Sequence, residues 1–160
     1  MAYSVKDVGD DPVITSHILE LNNANARETS PLDPERLARM IAAARVATVV
    51  EPAIAFLLAF DQRADYDGMD FIWFRERFDS FLYVDRVIVA DAHRRFGLGR
   101  LLYEDLFRRA ERLGHRRVTC EVNVQPPNPV SDAFHAKLGL TEVGRASRSD
   151  RSVRYLLRSL

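Results

Sequence analysis

The stretch Val87-Ile88-Val89-Ala90-Asp91-Ala92-His93-Arg94-Arg95-Phe96-Gly97-Leu98-Gly99-Arg100-Leu101-Leu102 joins an apolar β-branched run to a basic, glycine-bearing turn and then to an amphipathic helix. That order suits a phosphorylated ligand. Gly97 and Gly99 let the backbone come close to it. The helix start leaves N–H groups without internal acceptors, and the macrodipole favours negative charge there. Arg94, Arg95 and Arg100 add positive charge around the same turn. A plain strand-to-helix connection needs neither the two glycines nor the three arginines.

Several folds share glycine-rich turns, and the details separate them. A P-loop requires lysine and then Ser or Thr after its last glycine, where Arg100 and Leu101 stand. A dinucleotide fingerprint requires a third glycine within a mainly parallel sheet, and position 102 is leucine.

The elements that must hold this turn follow from periodicity and punctuation. A short strand is expected over Tyr3 to Val8. Ile14, Ile18, Leu19 and Leu21 lie near helical spacing and run into Asn22-Asn23-Ala24-Asn25. Asp33 and Pro34 open a second helix with Leu37, Met40 and Ile41 as its apolar stripe. Strands follow at Ala47 to Glu51 and Ala53 to Phe60, turning at Pro52. After the polar loop Gln62 to Asp70, the aromatic run from Phe71 to Phe78 reads as a short helix. Phe81 to Val89 is a central strand. The helix from Leu98 to Leu113 presents Leu98, Leu102, Leu106 and Ala110 on one face, and Gly114 ends it. Arg117 to Val124 is the next strand, a helix runs from near Val130 to before Gly139, and Leu140 to Ala146 and Val153 to Leu157 finish as strands. Strand, helix, strand between Phe81 and Val124 implies one parallel crossover inside an otherwise antiparallel sheet.

Bulk properties bound the functions. The 160 residues suit a single domain spanning 1–160, with 47% hydrophobic and 29% charged residues. Formal net charge is zero, so no global field gathers nucleic acid or an anionic membrane. Neither is expected as a partner. The lone Cys120 forbids an intrachain disulfide and, inside a strand, reads as a small buried hydrophobe. Without a signal-like N-terminus or a membrane-length apolar run, the expected location is cytoplasmic.

Arg94-x-x-Gly97-x-Gly99 after Val87-Ile88-Val89 resembles the acyl-CoA pyrophosphate loop of the GCN5-related N-acetyltransferase (GNAT) superfamily. The element order agrees over nearly the whole chain. A second segment also matches, with Asn128, Ser131, Phe134 and Leu138-Gly139-Leu140. The resemblance implies an α+β fold in α/β/α layers, its mixed, mostly antiparallel sheet having one splayed parallel pair. It implies acetyl-CoA as cosubstrate and no metal. The backbone of Val87, Ile88 and Val89 would pair with the thioester arm like an added strand. The turn Arg94, Arg95, Phe96, Gly97, Leu98, Gly99 and Arg100 would hold the pyrophosphate, its N–H groups from Arg95 to Arg100 doing the binding. Asn128 would reach the arm from the second segment.

Acyl transfer to an amine needs a neutral amine, a stabilised oxyanion and a protonated leaving thiolate. A backbone N–H near Val89 commonly meets the thioester carbonyl in this superfamily. Many relatives carry a tyrosine seven residues after the asparagine; here His135 stands there, able near neutrality to donate or accept a proton. The alternative for His135 is a packing or carbonyl-bonding role. Asp85 and Glu121, on the strands flanking the thioester, are candidate bases, and strict alternation puts Asp85 on the face of Val87 and Val89. The competing accounts are a structural ion pair with Arg86 or Arg117, and deprotonation relayed through water with no dedicated base. Tyr83 and Asn123 are further polar groups on those strands. Asn22, Asn23 and Asn25, Tyr66 and Asp67, and the aromatic run around Trp73 are candidate acceptor-side residues, with loop capping and core packing as alternatives.

The expected function is transfer of an acetyl group from acetyl-CoA to a primary amine of a small molecule or peptide. Alternatives are an acyl-CoA sensor without turnover and a nucleotide-binding protein using the same turn. A homodimer is plausible by analogy, pairing Val153 to Leu160 across subunits.

Overall fold

The computed structural model describes residues 2–26 and 29–160. Its elements are β1 (Lys6–Asp7), α1 (Pro12–Ala24), α2 (Pro34–Ala43), β2 (Val46–Val50), β3 (Ala55–Asp61), α3 (Met69–Arg75), β4 (Leu82–Val89), a 3-10 turn (Asp91–Phe96), α4 (Leu98–Arg112), β5 (Arg117–Gln125), α5 (Pro129–Lys137), β6 (Thr141–Ser147) and β7 (Ser152–Ser159). Polar side chains start three of the helices. Asp11 accepts from Val13 N, Asp33 from Arg36 N and Asn128 from Ser131 N, each with a proline just inside the helix. The expected strand at Tyr3 to Val8 shrinks to Lys6 and Asp7, which pair with Val49 and Thr48 of β2, with Val8 N adding a bond to the Ala47 carbonyl.

The strands form one sheet in the order β1-β2-β3-β4-β5-β7-β6, antiparallel everywhere except β4 with β5. One face packs Leu98, Leu102, Leu106 and Ala110 of α4, with Leu138 at the end of α5, on Leu82, Val84, Val118, Cys120 and Val122. The other packs Ile14 and Ile18 of α1, Leu37 and Met40 of α2, and Phe71 and Phe74 of α3 on Phe56, Phe60, Tyr83 and Tyr155. The layers are therefore α/β/α. The aromatic run is core: Phe71 and Phe74 are fully buried, and Trp73 stacks on Tyr155 with centroids 4.1 Å apart.

The sheet departs from regularity on both sides of β4. β4 pairs with β5 only at Leu82 with Val118 and Tyr83 with Thr119, after which the strands part. On its other side β4 runs beside β3 to Val89, but Leu58 and Ala59 oppose Arg86 and Val84 and skip Asp85. This bulge resets the alternation. Val84 lies in the α4-side core ahead of it and Val87 and Val89 pack there beyond it, while Ile88 joins the opposite core. Strict alternation, which would place Asp85 with Val87 and Val89, fails at this one extra residue.

β7 lies between β5 and β6, pairing with β5 from Ser152 to Ser159 and with β6 from Ser152 to Leu157. It offers no free edge, which removes the expected pairing of Val153 to Leu160 across a twofold axis.

Phe74 touches the rings of Trp73, Phe78, Phe81, Tyr83 and Tyr155. Phe74→Ala is expected to cost about 3–5 kcal/mol of stability in urea unfolding, as core truncations of this size do.

Candidate functional site

The turn between β4 and α4 presents a helix start stripped of its usual cap. Gly97, at φ +72°, ends the 3-10 turn and begins α4 with no side-chain hydrogen bond, and the first turn of α4 holds no acidic residue. The first helical bond is Leu101 N to Gly97 O, 3.0 Å. The N–H groups of Leu98, Gly99 and Arg100 therefore have no acceptor within the helix. A left-handed conformation suits glycine at 97. At 99 the reason is different: an added Cβ would lie 3.1 Å from Phe134 Cζ, so this glycine lets α4 close on α5.

The three arginines differ. Arg94 pairs with Asp91 (3.0 Å) and donates to Asn25 Oδ1 (3.2 Å), and Arg100 donates to Glu104 at 2.8 Å. Arg95 is exposed and has no ion pair among the described residues. Phe96 is exposed against Tyr3, while the Leu98 side chain is buried in the core, so only its N–H faces the turn.

Behind the turn, the parting of β4 and β5 leaves the facing backbone edges from Val84 to Val89 and from Cys120 to Gln125 without strand partners across the gap. Facing unpaired edges of this kind have the hydrogen-bonding groups to pair with an extended, amide-bearing chain. Asn128 stands at the far end of β5. Its Oδ1 caps α5 by accepting from Ser131 N at 3.2 Å.

His135 is buried on the α4 side. Nδ1 lies 2.7 Å from the Ser131 carbonyl, so it carries the proton, and Nε2 accepts from Tyr103 Oη at 3.0 Å. Burial holds the imidazole below its ordinary titration range. A neutral ring whose one N–H is committed to a carbonyl has none to hand to a thiolate. The carbonyl-bonding alternative describes this histidine; the acid role does not fit it.

On the opposite face a polar cluster fills the space beneath the diverging strands. Glu121 accepts from Tyr83 Oη at 2.6 Å. Desolvation, followed by the neighbouring negative charge of Asp70, pushes its carboxyl up to about 8. Burial, together with Glu121 and Asp85, raises Tyr83, which keeps its proton. Asp85 is fully engaged: Oδ1 accepts from Tyr66 Oη at 2.5 Å and Oδ2 from Arg86 Nε at 2.7 Å. Arg86 reaches Asn22 Oδ1 at 2.8 Å. The bulge thus turns Asp85 and Arg86 together towards the loop after α1, a structural pair and not a free base. Asn22 and Asn23 stitch that loop through Ser30 and Leu32, and Asn25 bonds the Leu21 carbonyl. Tyr66 serves Asp85, and Asp67 is exposed, 4.0 Å from Arg36. Burial raises the Cys120 thiol, consistent with a packed, unreactive group.

Sequence reasoning missed Asp70, Arg148, Arg151 and Tyr155. Asp70 Oδ1 accepts from Tyr155 Oη (2.8 Å) and Arg148 Nη2 (2.9 Å), and its Oδ2 accepts from Arg151 Nη2 (2.9 Å). The only local signal was an acid placed beside an aromatic helical run. Among the described residues no group of His, Cys, Asp and Glu is arranged to hold a metal, and no helix is long and apolar enough to cross a membrane.

Residues 35–140 match the sequence profile of the Acetyltransferase (GNAT) family. No curated protein matches the chain in sequence. Among solved structures, the ribosomal-protein-S18-alanine N-acetyltransferase from Escherichia coli superposes with a TM-score of 0.72 at 15% identity, over 99% of this chain and 94% of that one. The putative acetyltransferase yncA from Salmonella typhimurium, with its cofactor acetyl-CoA, gives 0.70 at 19% identity, over 99% and 94%. Arabidopsis thaliana NAA60 in complex with acetyl-CoA gives 0.74 at 11%, over 99% of each chain.

The Asp85–Arg86 pair has side chains only 6% and 5% exposed. Arg86→Met, which strands the carboxylate, is expected to destabilise by about 3–5 kcal/mol. Adding Asp85→Asn should recover part of that loss in chemical unfolding, giving a non-additive double-mutant cycle.

Proposed function

The chain belongs to the GNAT acetyltransferase family, and on that premise we propose that it moves an acetyl group from acetyl-CoA to a primary amine of a small molecule or peptide. Acetyl-CoA supplies the acyl group as an activated thioester. The observation that carries the reading is the parting of β4 and β5 after two residue pairs, which leads straight to the uncapped start of α4. An anion there meets the N–H groups of Leu98, Gly99 and Arg100 and the positive end of the helix dipole. Arg95 adds charge at the rim. Backbone groups of Val87, Ile88 and Val89 that face the gap bind the amide-bearing arm as a strand would. Two of the structural relatives hold acetyl-CoA, which supports the same ligand here. The whole chain acts as one domain on this reading.

Glu121 is the base. It lies on the strand that borders the gap, and its carboxyl titrates at about 8, matched to taking a proton from an ammonium near neutral pH. Tyr83 holds Oε2 in place and leaves Oε1 for the amine. Asp85 acts indirectly by orienting Arg86, and His135 by fixing α5 against Tyr103.

Calorimetry with acetyl-CoA should show binding, weakened tenfold or more by Gly97→Val, since a β-branched residue disfavours φ +72°. No heat in the wild type would sink the reading. Thiol release across an amine panel should give a kcat/KM that rises as pH increases through about 8, because Glu121 works only after losing its proton. Glu121→Gln should abolish that limb and lower kcat/KM by roughly 10²-fold or more. A limb that persists in this variant removes Glu121 from the role.

A further inference from the structure

The tip of the β6–β7 hairpin carries two arginines that lean over the outer end of the polar cluster. Arg148 Nη2 bonds Asp70 Oδ1 (2.9 Å) and Tyr155 Oη (2.8 Å). Arg151 Nη2 bonds Asp70 Oδ2 (2.9 Å), and its Nη1 makes a long 3.4 Å contact with Asn123 Oδ1. One carboxylate therefore faces two guanidinium ions. The nearby carboxylates hold other partners: Glu121 accepts from Tyr83, and Asp85 is matched by Arg86.

The surplus positive charge also lies on the accessible side. Asp70 is 6% exposed, whereas the side chains of Arg148 and Arg151 are 22% and 38% exposed. Each guanidinium offers five N–H donors in a planar fork. Their bonds among the described residues leave Nε of both and Nη1 of Arg148 unspent. Asn123, touched by Arg151, sits two residues from Glu121 and on the same face of β5, about 7 Å along the strand. An amine delivered to Glu121 thus has a cationic fork within the span of a few covalent bonds.

On the reading that Glu121 receives the amine, we propose that Arg148 and Arg151 form a carboxylate subsite and that the acceptor is a small zwitterion, an amine and a carboxylate on one molecule as in an α-amino acid. The two ends of such a molecule match the two ends of the cluster. The amine end meets Glu121, and the carboxylate takes the unspent Nε–H of Arg151 together with the unspent donors of Arg148 beside it. Asp70 and Tyr155 hold the arginines in place without neutralising both.

The test compares each of the twenty L-α-amino acids with its own carboxamide. Thiol release from acetyl-CoA and calorimetric binding to CoA-loaded protein are both measured. At least one acid should exceed its carboxamide by tenfold or more in kcat/KM. Arg151→Gln should shrink that ratio at least tenfold, mainly through KM, and Arg151→Lys should keep part of it, since the charge remains and the fork is lost. Retained acetyl-CoA binding shows that each variant is folded. Binding of the acid over its carboxamide without any thiol release would support the subsite while refuting acetyl transfer. Equal use of acids and carboxamides, preferential use of peptide amides, or no response to any amino acid would overturn the proposal.

Discussion

The site depends on backbone pairing that the sheet declines to make. β4 and β5 are hydrogen-bonded neighbours for two residues and then separate, although both continue as strands. Unpaired backbone groups away from water carry a cost of about 1–3 kcal/mol each. The strands remain apart because other elements pin each of them. β3 holds β4 on one side through a bulge, and β7 holds β5 on the other along nearly its whole length. The gap is therefore a property of the two flanking half-sheets. The facing edges leave a strand-pairing pattern open.

Around that gap the two faces are divided by chemistry. The α4 side is apolar apart from the Tyr103–His135–Ser131 chain, whose hydrogen bonds are all internal. The opposite side holds Tyr66, Asp70, Tyr83, Asp85, Arg86, Glu121 and Tyr155, most of them buried and nearly all satisfied. Burying charge is tolerated because each carboxylate has a phenol or guanidinium in contact. Glu121 is the exception in degree: its hydrogen-bond partner among the described residues is a neutral tyrosine, and desolvation with the nearby Asp70 charge makes it hold its proton more tightly than an exposed carboxylate would.

Much of this was legible in the residues, and the failures have physical reasons. The order of elements, the Asp33 cap, the buried Cys120 and a short helix in the aromatic run from Phe71 follow from periodicity and punctuation. So does the turn at Gly97. The Asn128 cap came only with the structure. Asp85 was misplaced because one bulge residue reverses which face every later side chain occupies, and nothing in Leu82 to Val89 marks a bulge. His135 was read through its position after Asn128, but its environment is set by Tyr103, 32 residues away. Asp70, Arg148 and Arg151 were invisible for a similar reason. Their meeting joins positions 78 and 81 apart, and only the topology brings them together.

That topology has a kinetic side. β7 comes last among the strands yet sits inside the sheet, so β5 and β6 stay strangers until it slides between them. β1 to β4 can zip as neighbours in simple succession, whereas the other half must wait for a late, non-local insertion. Such pairings pay their loop-closure entropy before they gain anything, and they slow folding. During synthesis the first half-sheet would emerge with one flank of β4 bare, and the cluster that joins Asp70 to Arg148, Arg151 and Tyr155 would be assembled only in the closing step.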